Sequence, residues 1–290
     1  ARAPKRCTEH RTNMAIEKSN DPTAFVDFEL TGWRENIAGY DDAFGSVSRQ
    51  TVDETLDAAN VRAGMRVLDV CTGPGMLAEG AINRGAEAVG LDFSDAVVAL
   101  AKTRVPAGEF RQGNAQDLPF PNESFDAVVC GYGVMHVPEP EIAMREMRRV
   151  VRPSGRIAIS VWDSTTPNNA FGMLYAAVSA HGSLDVPLPH GPNFFQFGNE
   201  DSMAAALSEI GFSNVKSHVF GQVWHVKSAA EILQAIRAGT VRARALLAAQ
   251  SDAVVDEILN FIEGSISGLG DPAHGFDIPL PAVIGSGSKP

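Results

Sequence analysis

In the middle of the chain, short runs that are apolar at nearly every position alternate with stretches in which apolar residues return every three or four places. The runs are "RVLDV" (66–70), "AEAVGLDFS" (ending as a strand at Asp92), a segment around 109–112, "FDAVVCGYGV" (125–134) and "RIAISVW" (156–162). Their length and lack of a polar face predict strands buried on both sides. The stretches between them predict helices. One runs from Gly75 to about Asn83, one is "DAVVALAKTRV" with Ser94 as N-cap, and one is "PEIAMREMRRVV", closed by "RPSG". Strands alternating with helices imply βαβ crossovers and a parallel sheet, the α/β class. Glycine and proline punctuate the boundaries.

Upstream, residues 23 to 60 read as mostly helical, with Val47, Val52, Leu56 and Ala59 on one face. Downstream the pattern changes. Residues 164–199 hold four prolines and several aromatics and read as an irregular cap or lid. "SMAAALSEIGF" predicts a helix stopped by Gly211, "NVKSHVFGQVWHV" one alternating strand, and residues 228 to about 263 a helical insertion. The tail "FDIPLPAVIGSGSK" is a candidate last strand. The expected division is an extension at 1–18, N-terminal helices at 19–60, a core at 61–163, the cap at 164–199 and the remainder of the fold at 200–290.

Composition narrows the classes. Of 290 residues, 44% are hydrophobic, enough to bury a full core. No apolar run reaches the ~20 residues of a membrane span. The net charge is -11 and no dense Lys/Arg block lies in the body of the chain, which argues against a nucleic-acid partner. Cys7, Cys71 and Cys130 show neither CxxC pairing nor a histidine at metal spacing, so neither a zinc site nor a disulfide framework is expected. That usage fits a reducing cytoplasm. The opening "ARAPKRCTEHRTN" is basic without an apolar centre, so it is not read as a secretory signal. Met14 is a candidate natural start, and disorder is expected before about residue 18. No heptad seam sets an oligomeric state. A homodimer through the C-terminal helices is one arrangement left open.

The candidate chemistry lies in "VLDVCTGPGMLAEGA" (67–81). "GPGMLA" matches the G-x-G-x-x-G/A pattern of dinucleotide-binding loops, a weak signal alone. Small residues there let backbone amides and the next helix N-terminus meet a polar ligand. Asp69 lies four residues before Gly73, where a carboxylate would repel a pyrophosphate but suits a ligand carrying positive charge. Asp92 ends the second strand, where a carboxylate can accept two ribose hydroxyls. "GNAQDLPF" follows the third strand, within reach of an adenine ring.

As a set, "VLDVCTGPG", "GLDFS", "GNAQDLPFPNESFDAVVCGYGVMHV" and "EMRRVVRPSGRIAISVW" resemble the class I S-adenosylmethionine (SAM)-dependent methyltransferases. The nearest likeness is to the small-molecule group that includes the ubiquinone and menaquinone C-methyltransferases. It covers roughly residues 60–163. The resemblance implies a Rossmann-like sheet of seven strands, the last antiparallel, with helices on both faces and an added cap. It implies SAM as cofactor, S-adenosylhomocysteine (SAH) as product and a small-molecule acceptor. Two positions depart from the family pattern: Cys71 stands for the first loop glycine, and Asn114 for an acid.

By this resemblance the Gly73 to Gly75 backbone lies against the amino-acid part of the cofactor. Asp69 orients the loop or meets the amino group. Asp92 holds the ribose, Phe93 covers one adenine face, and Asn114, Ala115 and Gln116 read the adenine edge. Cys130 and Gly131 lie where a backbone carbonyl meets the ammonium. Among the N-terminal aromatics Trp33, Tyr40 and Phe44, Tyr40 is placed to reach the carboxylate, although all three also read as packing residues. His136, after the fourth strand, is the first candidate general base, with a structural role as the alternative. His190 and His181 in the cap rank behind it. "PNFFQF" and Trp224 imply aromatic walls and an apolar or aromatic substrate. The acceptor atom stays open among oxygen, nitrogen, carbon and sulfur. Three other classes stay open too: a SAM-binding enzyme with different chemistry, a non-catalytic SAM binder, and a nicotinamide-dependent oxidoreductase.

Overall fold

The structure is a computed structural model that describes residues 22–290; the expectations for the extension, Cys7 and Met14 lie outside the described residues. The chain enters through α1 (Pro22–Ser48) and, after a 3-10 turn at Arg49–Thr51, α2 (Val52–Ala58). The core follows in strict alternation: β1 (Arg66–Val70), α3 (Met76–Asn83), β2 (Glu87–Asp92), α4 (Asp95–Arg104), β3 (Glu109–Gln112), β4 (Phe125–Gly131), α5 (Pro140–Val150) and β5 (Val151–Trp162). Then come α6 (Ala170–His181), α7 (Glu200–Glu209), β6 (Ser213–Phe220), β7 (Val223–Val226), α8 (Ala229–Gly239), α9 (Arg242–Ala248), α10 (Asp252–Ile266), β8 (Gly270–Asp271), β9 (Gly275–Pro279) and β10 (Ala282–Ser288).

Seven strands form the main sheet in the order β3-β2-β1-β4-β5-β10-β6. The β1–β2, β2–β3, β1–β4 and β4–β5 pairs are parallel, and β10 runs antiparallel to both of its neighbours. Successive residues of the central strands face opposite layers. Val67 and Val129 pack with Leu77 and Ala78 of α3, while Leu68 and Val128 pack on the other side with Phe44 and Met144. Both faces are therefore dry, which is why these runs are apolar at consecutive positions. After β1 the chain builds outward through β2 and β3, and β4 and β5 lie on β1's other side. That reversal opens a crevice beyond the carboxyl ends of β1 and β4.

Several expectations need correcting. Residues 164–199 are not irregular throughout. They contain α6, whose N-cap Asn169 accepts from the Gly172 amide at 2.8 Å. This helix buries Phe171, Met173, Leu174, Ala177 and Val178, so its apolar residues leave no polar stripe to signal it. "NVKSHVFGQVWHV" is two strands. At Gly221–Gln222 the chain leaves the main sheet and enters a second sheet of order β7-β9-β8. The "RPSG" stop belongs to β5 itself. Register jumps from Phe125↔Val151 to Ala127↔Arg156, so the intervening residues bulge out, with Ser154 at φ 63°. The 228–263 region is helical as expected, divided into three helices. No helix among the described residues is long and apolar enough to cross a membrane.

Candidate functional site

A cavity of about 530 Å³ occupies the crevice, roofed by α1. Its floor is the turn between β1 and α3. Asp69 is buried, and its Oδ2 accepts from Thr72 Oγ1 at 2.7 Å and from the Ala78 amide at 3.1 Å. One carboxylate oxygen thus ties the loop to the first turn of the helix. Cys71, Gly73 and Gly75 have φ of 56°, 54° and 89°. Gly75 is the N-cap of α3. At Gly73 a Cβ would meet nothing within 4 Å, so the backbone there faces open cavity.

Asp92 closes the next wall. Its Oδ2 accepts from the Gly73 amide and its Oδ1 from the Ser94 amide, both at 3.1 Å. Phe93, half-buried, follows it, and its carbonyl accepts from Gln112 Nε2 at 3.0 Å. Asn114, Ala115 and Gln116 form the far wall. Asn114 Oδ1 accepts from the Gln116 amide at 2.9 Å, fixing that corner as a tight turn. Burial pushes the Asp69 carboxyl up to about 7, with the neighbouring Asp92 charge adding to the rise and the bonds from Thr72 and Ala78 opposing it. Burial likewise raises Asp92 to about 6 against its backbone bonds. Among the described residues, the cavity wall contains no lysine or arginine. It is a pocket of acids in which, among the described wall residues, only the His136 charge offsets Asp92.

Ten of the sequence-proposed side chains or loop positions line this one cavity: Tyr40, Asp69, Cys71, Gly73, Asp92, Phe93, Asn114, Ala115, Gln116 and Gly131. His136 lines it as well. Gly75 and Cys130 do not. Cys130 is fully buried behind Cys71, and a side chain on Gly133 would run into both cysteines. The contact with Cys130, followed by burial, pushes the Cys71 thiol well up. Tyr40 is bonded to Ser48 Oγ at 2.8 Å, and burial raises its phenol to about 12. His181 packs on Phe261 and, like His190, is absent from the wall. Phe44 and Trp224 pack on each other behind the cavity, 5.1 Å between centroids with their planes tilted by 35°.

Wall residues that the sequence reading did not name include Tyr132, Trp162, Ser160 and Glu29. Tyr132, at φ 54°, stacks on Trp162 at 4.0 Å, and its hydroxyl donates to Gln222 Oε1 at 2.7 Å. Ser160 Oγ is buried without a partner. Glu29 of α1 is fully buried; its Oε2 accepts from Trp33 Nε1 at 3.1 Å and lies 3.0 Å from His136 Nδ1. The i, i+4 spacing of Glu29 and Trp33 was the available signal, since it places both on one helical face.

Residues 68–159 match the family described as "Methyltransferase domain". The chain is 33% identical over 189 residues to the demethylmenaquinone methyltransferase of Bacillus velezensis, covering 58% of this chain and 79% of that one. It is 39% identical over 173 residues to the enzyme of the same name from Renibacterium salmoninarum, covering 55% of this chain and 71% of that one. Among solved structures it resembles Haemonchus contortus phosphoethanolamine N-methyltransferase 2, determined with SAH and phosphomonomethylethanolamine. That likeness has a TM-score of 0.56 at 19% identity, over 92% of this chain and 60% of the other.

Proposed function

This chain belongs to the class I SAM-dependent methyltransferases, and we propose that the cavity beyond β1 and β4 is where it holds SAM against a small apolar or aromatic acceptor. The observation that carries the placement is the pairing of Asp69 and Asp92 in a wall that, among the described residues, has no Lys or Arg. A pyrophosphate would add negative charge to two buried acids. A ligand with a sulfonium and an ammonium supplies the missing cation. The open space at Gly73 fits the close approach of such a ligand.

In this reading Asp92 accepts the ribose hydroxyls with the lone pairs left free by Gly73 and Ser94. Asn114, Ala115 and Gln116 bound the adenine, with Phe93 on its face. The Gly73 amide region, Gly131 and Tyr40 border the amino-acid part, and Asp69 holds the loop in shape from beneath. Bound SAM supplies an activated methyl group, so the protein's task is alignment and exclusion of water. Tyr132, Trp162 and Trp33 provide dry walls for that purpose. His136, at the cavity mouth, is placed to take a proton from an acceptor that carries one.

The relatives' name points to demethylmenaquinone as their substrate. For this chain we infer an aromatic acceptor of comparable apolarity, bound in the absence of nucleic acid, in the cytoplasm and with a homodimer as the assembly to test. The direct test is incubation with methyl-labelled SAM and a panel of phenols, quinols and aromatic amines. Label entering an extractable aromatic product is expected. Label confined to SAM across the panel, from protein that binds SAM, would contradict the acceptor class.

A further inference from the structure

Glu29, the partner of His136, has no role in the reading above. Glu29 sits on α1 with its carboxylate fully buried in the cavity wall, beside one of the two histidine ring nitrogens. Trp33 Nε1 can only donate, so the oxygen it shares with His136, Oε2, serves as an acceptor. With Oε2 already accepting from Trp33, the 3.0 Å contact is read as a second donation to that oxygen, from His136 Nδ1. A neutral His136 then carries its lone pair on Nε2. That nitrogen makes no hydrogen bond to any described residue, and the side chain is 17% exposed, on the cavity side. Glu29 Oε1 is likewise buried without a partner. Nε2 therefore faces the cavity with no donor among the described residues, and Glu29 Oε1 is buried with none.

The surroundings say what kind of molecule brings the donor. Trp33 meets the His136 ring edge-on at 5.0 Å, and Phe194 does so at 5.5 Å from the cap. His136 also borders a second cavity of about 30 Å³, too small for an aromatic ring, whose wall sets Phe44, Phe171 and Phe194 beside Thr240 and Arg242. An aromatic acceptor that meets His136 therefore lies in the larger cavity, where Trp33 also lines the wall.

We propose that Glu29 is a positioning residue that fixes the Nδ1-protonated form of His136, leaving Nε2 to accept the hydroxyl proton of a phenol- or quinol-type acceptor held in the main cavity beside Trp33. This rests on the methyltransferase reading above. The O–H proton passes to Nε2, the electron pair stays on the acceptor oxygen, and Glu29 stabilises the imidazolium that forms. The acceptor oxygen becomes a phenolate only inside the closed site, where water does not compete for it.

The test is long-range proton–nitrogen NMR of the imidazole rings in the intact protein, above the titration midpoint found in the same spectra, with His136 assigned from the loss of its signals in His136→Asn. The expected result is a protonated Nδ1 and bare Nε2 in the parent and in Glu29→Gln, whose amide oxygen still accepts. In Glu29→Leu the proton should move to Nε2. A parent spectrum with the proton on Nε2 overturns the proposal even if the leucine variant fails to fold, and so does an unchanged tautomer in a folded leucine variant. SAM titration of the same samples separates the two layers. Failure of the parent to bind SAM sinks the methyltransferase placement, whereas the wrong tautomer in a SAM-binding protein sinks only the role of Glu29. A second probe, 4-nitrophenol with SAH present, should show more of its ionised absorption band when bound to the parent than to Glu29→Leu.

Discussion

The Asp92 carboxylate accepts the Gly73 amide at 3.1 Å, so the acid that ends the second strand also holds the loop that ends the first. The two strands pair with Asp69 opposite Gly90, two residues before Asp92, and this register brings both acids to one cavity. Loop shape and ligand contact are thereby carried by the same side chain. Asp92→Ala should weaken SAM binding by roughly 1.5–3 kcal/mol, the range for hydrogen bonds to a charged group. A titration in which the variant binds SAM like the parent would remove Asp92 from the site.

The pH dependence follows from the same two acids. Burial holds Asp69 at about 7 and Asp92 at about 6, both above the value of an unfolded aspartate. Ligand-free folded protein therefore binds more protons than the unfolded chain between roughly pH 4 and 7. Stability from these groups is present at low pH and is lost as pH rises through 6 and 7. Asp69→Asn should flatten that decline in thermal melts between about pH 5.5 and 7.5, and identical slopes would refute the assignment. Cofactor affinity should run the other way. The charged carboxylates suit a cationic ligand, so binding should weaken as pH falls below about 6.

Gly73 separates fold from binding. Its φ of 54° makes a side chain cost about 1–2 kcal/mol in the ligand-free protein, although a Cβ there would touch nothing. Gly73→Ala should thus fold with a modest loss of thermal stability and lose at least about tenfold in SAM affinity, because the methyl fills the space the ligand approaches. Parent-like affinity would place the ligand elsewhere.

Much of this architecture was legible because each core strand is a consecutive apolar run closed by Gly, Pro or an acid, a signal that depends only on local burial. The loop from Asp69 to Gly75 was legible for a related reason: left-handed backbone at Gly73 and Gly75 needs glycine. What escaped depends on distant partners. Glu29 reads as one more acid on a long helix; its burial exists only because His136, 107 positions away, meets it. Gln222 sits in a stretch that alternates like a single strand. Its side chain, buried between Tyr132 and the Val47 carbonyl, is what turns the chain out of the main sheet. Helix α6 lacks a polar face and so lacks a helical rhythm.

Gln222 also offers a stability test away from the ligand. Gln222→Leu would leave the buried Tyr132 hydroxyl without its 2.7 Å acceptor and the Val47 carbonyl without its donor. About 2–4 kcal/mol of unfolding free energy should be lost, read by denaturant titration. A loss below about 0.5 kcal/mol would show that these groups find other partners.

The central claim is that an acidic crevice at the β1–β4 reversal binds SAM. Calorimetric titration of the purified protein with SAM, SAH and NAD in parallel tests it most directly. Micromolar binding of both sulfur nucleosides, with none of NAD, is the predicted result. Binding of NAD, or of none of the three, would contradict it.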